Sequence, residues 1–323
     1  MGYEREREVA IEAVCEAAQL CMAVRESMVT ALEKDDRSPV TVADFGSQAL
    51  VCRRLKAAFP NDPIVGEEDA SDLRRAEQAE MRAAVCRFVN AHAMADEKAV
   101  CGWIDEGNGQ VAERFWTLDP IDGTKGFLRG DQYVVALALI DRGVVQVAAI
   151  ACPALPVNMD ELDGDCGLLF VAVRGEGAKA RPLSGGEMHD VRVADSGNAK
   201  AWRFAESVEA SHGDHDAQSA IARAVGIKSP SLRMDSQAKY GAVSRGDAAL
   251  YLRLPSPKYP DYREKIWDHA AGSLIVEEAG GCVTDMYGKP LDFATAALME
   301  DNRGVIVSAG DIHDEVIAAL NRN

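Results

Sequence analysis

Positive charge is in short supply in this 323-residue sequence: 35 Lys and Arg stand against 52 Asp and Glu, a formal net charge of -17. Nucleic acid and anionic membrane surfaces both require a basic face, so neither is expected as a partner. Long apolar runs are also missing, and nothing approaches the roughly 20 consecutive residues needed to span a bilayer. Met1-Gly-Tyr-Glu-Arg-Glu-Arg-Glu8 has no apolar secretory core, and Glu6 stands where a myristoylation signal wants Ser or Thr. Paired cysteines are absent too. Cysteines 15, 21, 52, 86, 101, 152, 166 and 282 include no Cys-x-x-Cys and no regular spacing. Reduced thiols acting as small core residues fit this pattern, with a redox-sensing pair as the alternative. No internal repeat or low-complexity segment occurs. A monomeric, cytosolic protein is expected, and an organelle leader upstream is left open. A small anionic substrate stays compatible with the charge if bound cations reverse the local field.

Hydrophobic residues make up 47 % of the chain and charged residues 27 %, enough for a large core in one or two domains. Three- and four-residue spacing of Ile11, Val14, Cys15, Ala18, Cys21, Met22 and Val29 predicts a helix over 4–33. After a loop at 34–39, a second helix is expected to start near Asp44 and to end before Pro60. Ile64-Val65 reads as a short strand, and 71–98 as a polar, surface helical region. Strands are expected at 115–118, 133–141, 144–152 and 168–173, with Asp141-Arg-Gly143 as a hairpin turn. The remainder alternates: strands at 201–208, 232–234, 248–254 and 304–308, helices at 216–225, 237–245, 267–279 and 312–321. An α+β domain at 1–186 followed by an α/β domain at 187–323 is the expected organisation.

The chemistry concentrates in Trp116-Thr-Leu-Asp119-Pro-Ile-Asp122-Gly-Thr124-Lys-Gly-Phe127. Pro120 donates no hydrogen bond, so it should end the strand ladder and let two carboxylates converge. Ile121 can then offer its carbonyl to a ligand, and Gly123 permits a tight bend. Thr124 and Lys125 would start a helix whose free N–H groups suit a phosphate. Carboxylates crowded beside phosphate-binding amides need cations between them, and hard oxygen ligands select Mg²⁺ or a similar ion. The plain alternative is an Asp-Pro turn with a helix cap. Gly66-Glu67-Glu68 adds carboxylate at another strand end, although alone it would read as a solvated loop. Asp44 and Asp268, read singly, would be helix caps. Together these positions form the pattern of a multi-metal phosphoryl-transfer site.

Across nearly its whole length the chain resembles the inositol monophosphatase superfamily of lithium-sensitive, magnesium-dependent phosphatases. Within it the bisphosphate nucleotidase branch is most similar, through Asp122-Gly-Thr-Lys-Gly-Phe127-Leu-Arg-Gly130, Asp235-Ser-Gln-Ala-Lys-Tyr240, Tyr251-Leu-Arg-Leu-Pro255 and Lys265-Ile-Trp-Asp-His-Ala-Ala-Gly272. The stretch 70–112 matches least. The resemblance implies a layered α-β-α-β-α sandwich of the inositol monophosphatase/fructose-1,6-bisphosphatase type. It implies two Mg²⁺, one on Glu67, Asp119 and the Ile121 carbonyl, the other on Asp119, Asp122 and Asp268, with Glu67 able to share a weaker third. Asp44 and Thr124 would orient and deprotonate the attacking water. On the substrate side it implies Gly123, Thr124 and Asp268, together with His212, Ser236, Lys239 and Arg253 for the 5'-phosphate and ribose. The implied reaction removes the 3'-phosphate of 3'-phosphoadenosine 5'-phosphate, with 3'-phosphoadenylyl sulfate as a second substrate and inhibition by Li⁺.

Rival readings are an inositol-phosphate phosphatase using the same metals and a non-catalytic nucleotide or redox sensor. Every implied catalytic position is intact, which speaks against the sensor. Ser211-His212-Gly-Asp-His215-Asp216 is a weak zinc pattern, and His215 reads better as the start of a helix. Gly175-Glu-Gly177-Ala-Lys-Ala180 imitates a dinucleotide fingerprint, but Pro182 and Gly185-Gly186 deny it the helix that must follow. Gly288-Lys289 lacks the glycine spacing of a phosphate-binding loop.

Overall fold

The computed structural model describes residues 2–30, 38–161, 164–195, 197, 202–208, 215–256, 258–259, 261 and onward to 322. Two long helices open the chain, α1 (Glu4–Thr30) and α2 (Ser38–Ala58). The second begins six residues earlier than expected. Pro39 was read as part of the loop, yet proline suits a first helical turn, where its missing N–H has no partner to lose. Asp44 therefore lies inside α2 and does not cap it.

A mixed sheet follows in the order β1 (Ile64–Gly66), β2 (Arg114–Asp122), β3 (Val134–Asp141), β4 (Val144–Pro156), β5 (Cys166–Val173), β6 (Gly177–Pro182) and β7 (His189–Asp190). Only the β1–β2 pairing is parallel. Arg142 and Gly143 both take positive φ between β3 and β4, as a two-residue hairpin turn requires. The imitation dinucleotide motif forms the β5–β6 turn, where Gly175 and Gly177 each have φ +81°. β6 and β7 were not foreseen, because they are short and partly polar.

Residues 71–98 are less superficial than expected. They hold all of α3 (Ala79–Val89) and the start of α4 (Glu97–Asp105), which bury Val85, Cys86, Val89, Val100, Cys101 and Ile104 in the core shared with α1 and α2. Alanines and charged residues between these positions hide the apolar period.

The second sheet runs β11 (Gly281–Thr284), β12 (Val305–Ala309), β10 (Leu250–Arg253), β8 (Phe204–Glu206) and β9 (Leu232–Arg233). Its helices are α6 (His215–Ala224), α7 (Ala238–Ser244), α8 (Ala270–Glu278) and α9 (His313–Leu320). Side-chain parity sets the layers, since successive strand residues face opposite ways. Trp116, Leu118, Val135, Leu137 and Leu139 join the core of α1 and α2. Phe115, Val134, Ala136, Ala138 and Ile140 face the other way, onto Tyr240 and Val243 of α7 and Leu274 and Ile275 of α8. Tyr251, Val305 and Val307 close that middle core from the second sheet, while Leu250, Leu252 and Ile306 pack outward with α6 and α9. The result is the expected α-β-α-β-α sandwich. Central strands covered on both faces read as unbroken apolar runs for this reason. Of the eight cysteines, all free, Cys21, Cys52, Cys86, Cys101 and Cys152 are buried and Cys166 is exposed. No helix among the described residues is long and apolar enough to cross a membrane.

Candidate active site

Strand β2 carries the first two carboxylates past Pro120, which interrupts the ladder without ending the strand. Asp119 pairs with Ala136 and Asp122 with Val134, so β2 advances three residues while β3 moves two. One extra residue is accommodated as a bulge. Residues three apart in a regular strand face opposite ways, and the bulge cancels that difference. Ile121 thus joins Leu118 in the α1–α2 core, while Asp119 and Asp122 both line a cavity of about 280 Å³ on the other face. The Pro120 carbonyl, freed from the ladder, accepts a hydrogen bond from Ser47 Oγ at 2.8 Å.

Parallel pairing of Gly66 with Leu118 brings Glu67 alongside Asp119. The Gln48 amide fixes this corner: its Nε2 donates to the Glu68 and Ile104 carbonyls, and its Oε1 accepts from Glu68 N at 3.1 Å. Asp44 lies one helical turn before Gln48 on the same face of α2. It is buried beside the cavity, and its carboxyl is held well above the usual range by burial, then by Glu68 and Glu67.

Beyond Asp122 the chain turns at Gly123 (φ +93°), where a Cβ would come within 2.9 Å of Ser236 Cβ. It then enters the short helix α5 (Thr124–Arg129). A Cβ on Gly126 would fall 2.1 Å from the Gln132 carbonyl oxygen and 3.3 Å from Asp235 Cβ. Gly126 is therefore a packing requirement where α5 meets the 235–239 segment, whatever substrate the site takes. Arg129 reaches across to pair with Asp235.

The second half of the chain supplies the other wall. Ser236 adopts φ +63°, and the next N–H, of Gln237, donates to Asp122 Oδ2 at 2.5 Å. Lys239 is 3 % exposed, with Nζ 3.4 Å from the Met234 carbonyl and 5.0 Å from the centre of the Tyr251 ring. Burial pushes Lys239 down to about 8, opposed by Asp122. Arg253 Nε donates to Glu264 at 3.1 Å. Glu264 also contacts His269 Nε2 at 3.3 Å, and His269 Nδ1 meets the Tyr240 hydroxyl at 2.7 Å. Burial alone would raise the Glu264 carboxyl, but the His269 hydrogen bond and the Arg253 charge outweigh it and hold it at about 2.

The carboxylate end behaves oppositely. Burial, then Asp268, Glu68 and Asp122, push Glu67 up to about 7. Burial and, secondarily, Asp122 and Glu264 push Asp268 up to about 6, against the opposing pull of His269. Asp119 is 1 % exposed and held well above its usual range by burial, Glu67, Asp122 and Asp268, and its Oδ1 has no hydrogen-bond partner. A buried, unpartnered carboxylate oxygen among mutually repelling carboxylates is what a cation relieves. The donors are hard oxygens, so the residues fit Mg²⁺ or a similar ion. Ligand atoms of Glu264, Asp268 and His269 also lie within 4.8 Å of one another. Glu264 is already matched by Arg253 and His269, so that trio reads as an ion-pair network joined to the site.

Ten residues foreseen from sequence line the cavity: Glu67, Asp119, Ile121, Asp122, Gly123, Thr124, Ser236, Lys239, Arg253 and Asp268. Asp44 sits beside it, and His212 lies outside the described residues, as does most of the weak zinc pattern; His215 opens α6. Sequence reasoning missed Gln237, Glu264 and His269, although Gln237 and His269 stand inside motifs already singled out.

Comparisons with known proteins bear on the family and the fold. A model of the inositol monophosphatase family matches residues 3–323. A 3'(2'),5'-bisphosphate nucleotidase of Emericella nidulans is 44 % identical over 352 residues, covering 100 % of this chain and 99 % of that one. The protein of the same name from Schizosaccharomyces pombe is 44 % identical over 339 residues, covering 99 % and 96 %. Among solved structures, Mycobacterium tuberculosis SuhB superposes with a TM-score of 0.63 at 23 % identity, covering 99 % and 97 % of the two chains. CysQ from Bacteroides thetaiotaomicron gives 0.59 at 20 %, covering 95 % and 98 %. The fold follows from the structural matches and the family from the sequence matches: the chain belongs to the inositol monophosphatase family.

Proposed function

We propose that the protein hydrolyses the 3'-phosphate of 3'-phosphoadenosine 5'-phosphate to give AMP and phosphate, with Mg²⁺ as cofactor. One observation carries the reading: a single cavity has a carboxylate end that calls for cations and a second end built from the side chains of Lys239 and Arg253. A bisphosphorylated nucleotide fits that division, one phosphate meeting metal and the other meeting protein. The names of the 44 % identical relatives support it.

In this reading Glu67, Asp119, Asp122, Asp268 and the Ile121 carbonyl hold two Mg²⁺, with Glu67 sharing a third. When bound, the ions supply the positive charge that the reacting phosphoryl group and the leaving ribose oxygen require. Asp44 accepts a proton from the attacking water. Burial, the leading cause of the raised Asp44 carboxyl, makes it a stronger base than an exposed one. The Thr124 hydroxyl orients that water, and the Gly123–Thr124 turn receives phosphate oxygens. Ser236, Lys239 and Arg253, with His212, bind the 5'-phosphate and ribose. 3'-Phosphoadenylyl sulfate presents the same 3'-phosphate and is a second candidate substrate.

Phosphate release should be compared for 3'-phosphoadenosine 5'-phosphate and inositol 1-phosphate, using the unaltered protein and Arg253→Gln. The nucleotide should be the faster substrate. The variant should lose roughly 10- to 100-fold in kcat/KM for it, from a charge-assisted contact worth about 1.5–3 kcal/mol, and change little for the inositol ester. Faster turnover of inositol 1-phosphate by the unaltered protein would overturn the assignment.

A further inference from the structure

We propose that Gln237 is a positioning residue that sets the spacing between Asp122 and Asp268. The inference rests on the metal-dependent reading above and adds to it a residue that contributes no metal ligand. Gln237 is 1 % exposed and joins three segments. Its backbone N–H holds Asp122 Oδ2 at 2.5 Å. Its Nε2 donates to the carbonyl of Trp267, the residue directly before Asp268, at 3.0 Å. Its Oε1 accepts from Gly272 N in the first turn of α8, at 3.1 Å.

The two ends of one amide thus grip both sides of the Asp268 turn, while the main chain of the same residue grips Asp122. Such a link has a geometric consequence that ordinary core packing lacks. Asp122 is fixed to the end of the first sheet, and Asp268 to a short turn whose preceding residue, Lys265, is bridged to Leu298. The three hydrogen bonds of Gln237 tie the two directly. Two further details hold the link in register. Ser236 takes a left-handed conformation that aims the Gln237 N–H back at Asp122. Gly272 leaves room for the Tyr240 ring, which a Cβ there would meet at 2.4 Å, so α8 can begin within reach of the amide. Loss of hydrogen-bonded partners that orient ligands typically costs 10- to 100-fold in metal affinity.

The test uses Gln237→Ala, which removes both side-chain bonds, and Gln237→Met, which keeps the length of the side chain without adding charge and loses the amide donor and acceptor. Melting temperature is measured without substrate while MgCl₂ is titrated, and phosphate release is measured in parallel. Both variants should need roughly 10- to 100-fold more Mg²⁺ for half of the metal-induced rise in melting temperature. At saturating Mg²⁺ the KM for the nucleotide should change less than about twofold. If the alanine variant does not fold, the uncharged methionine variant decides. A lowered melting temperature with an unchanged Mg²⁺ midpoint in the folded variants would reduce Gln237 to a structural residue and overturn the proposal. If instead the unaltered protein shows no Mg²⁺-induced rise at all, the metal-dependent reading itself fails, a separate outcome.

Discussion

Replacement of Gly126 by alanine separates two effects that oppose one another. Within helix α5, alanine is favoured over glycine by about 1 kcal/mol, because glycine loses more backbone freedom on folding. Against this, the new Cβ would sit 2.1 Å from the Gln132 carbonyl oxygen, where ordinary contact begins at 3.4 Å, so the two must part by roughly 1.3 Å. That oxygen is backbone, and the Asp131 N–H already binds the Gly126 carbonyl at 2.8 Å, so neither side can swing away as a flexible side chain would. Overpacking of this kind costs about 1–3 kcal/mol. The net loss of stability should be at most about 2 kcal/mol, a fall in Tm of only a few degrees for a chain of this size. Activity should suffer far more. α5 starts at Thr124, and a displacement of about 1 Å at a reacting centre can cost about 100-fold in rate. The assay is kcat for phosphate release at saturating Mg²⁺, paired with Tm. Gly102→Ala is the control: it lies in α4 with nothing within 4 Å of a new Cβ, and should raise Tm while leaving kcat alone. A Gly126→Ala protein with unaltered kcat and a raised Tm would refute the steric argument.

Asp119→Asn should abolish phosphate release at saturating Mg²⁺, and in the presence of a chelator it should raise Tm, because one of several repelling buried carboxylates is gone; retained turnover would sink the metal assignment. His313, far from the site, gives a pH test. Burial holds it below the ordinary 6.5, with Asp314 acting the other way, while Thr284 and Ser308 bond its ring nitrogens at 2.8 and 2.7 Å. The folded chain takes up a proton there less readily than the unfolded chain, so its contribution is present above about 6.5 and is lost as pH falls. The urea midpoint should drop more between pH 7.5 and 5.5 in the unaltered protein than in His313→Asn; equal slopes would refute it.

Much of this protein was legible in the linear sequence because the relevant signals are local. Apolar runs marked β3, β4 and β5, three- and four-residue spacing marked α1, and the Asp119–Thr124 run held, within six residues, side chains that line one cavity. Other features depend on partners distant in sequence. The start of α2 was missed because Pro39 punctuates a loop and a first helical turn alike. The burial of α3 and α4 depends on α2, which ends at Ala58, well before either begins. Asp119 and Asp122 were expected to converge at the end of a strand, whereas they converge through a bulge that only pairing with β3 defines. Gly126 stood in the sequence only as part of the run that carries the family resemblance, and its neighbours Gln132 and Asp235 show a steric demand. Gln48, Gln237 and Glu264 are ordinary polar residues by type. Their roles come from carbonyls and charges brought to them by folding. The sequence alone determined which carboxylates and cationic side chains the chain carries and their local spacing; the tertiary structure decided how the carboxylates are aimed and what holds them there, since those are long-range contacts.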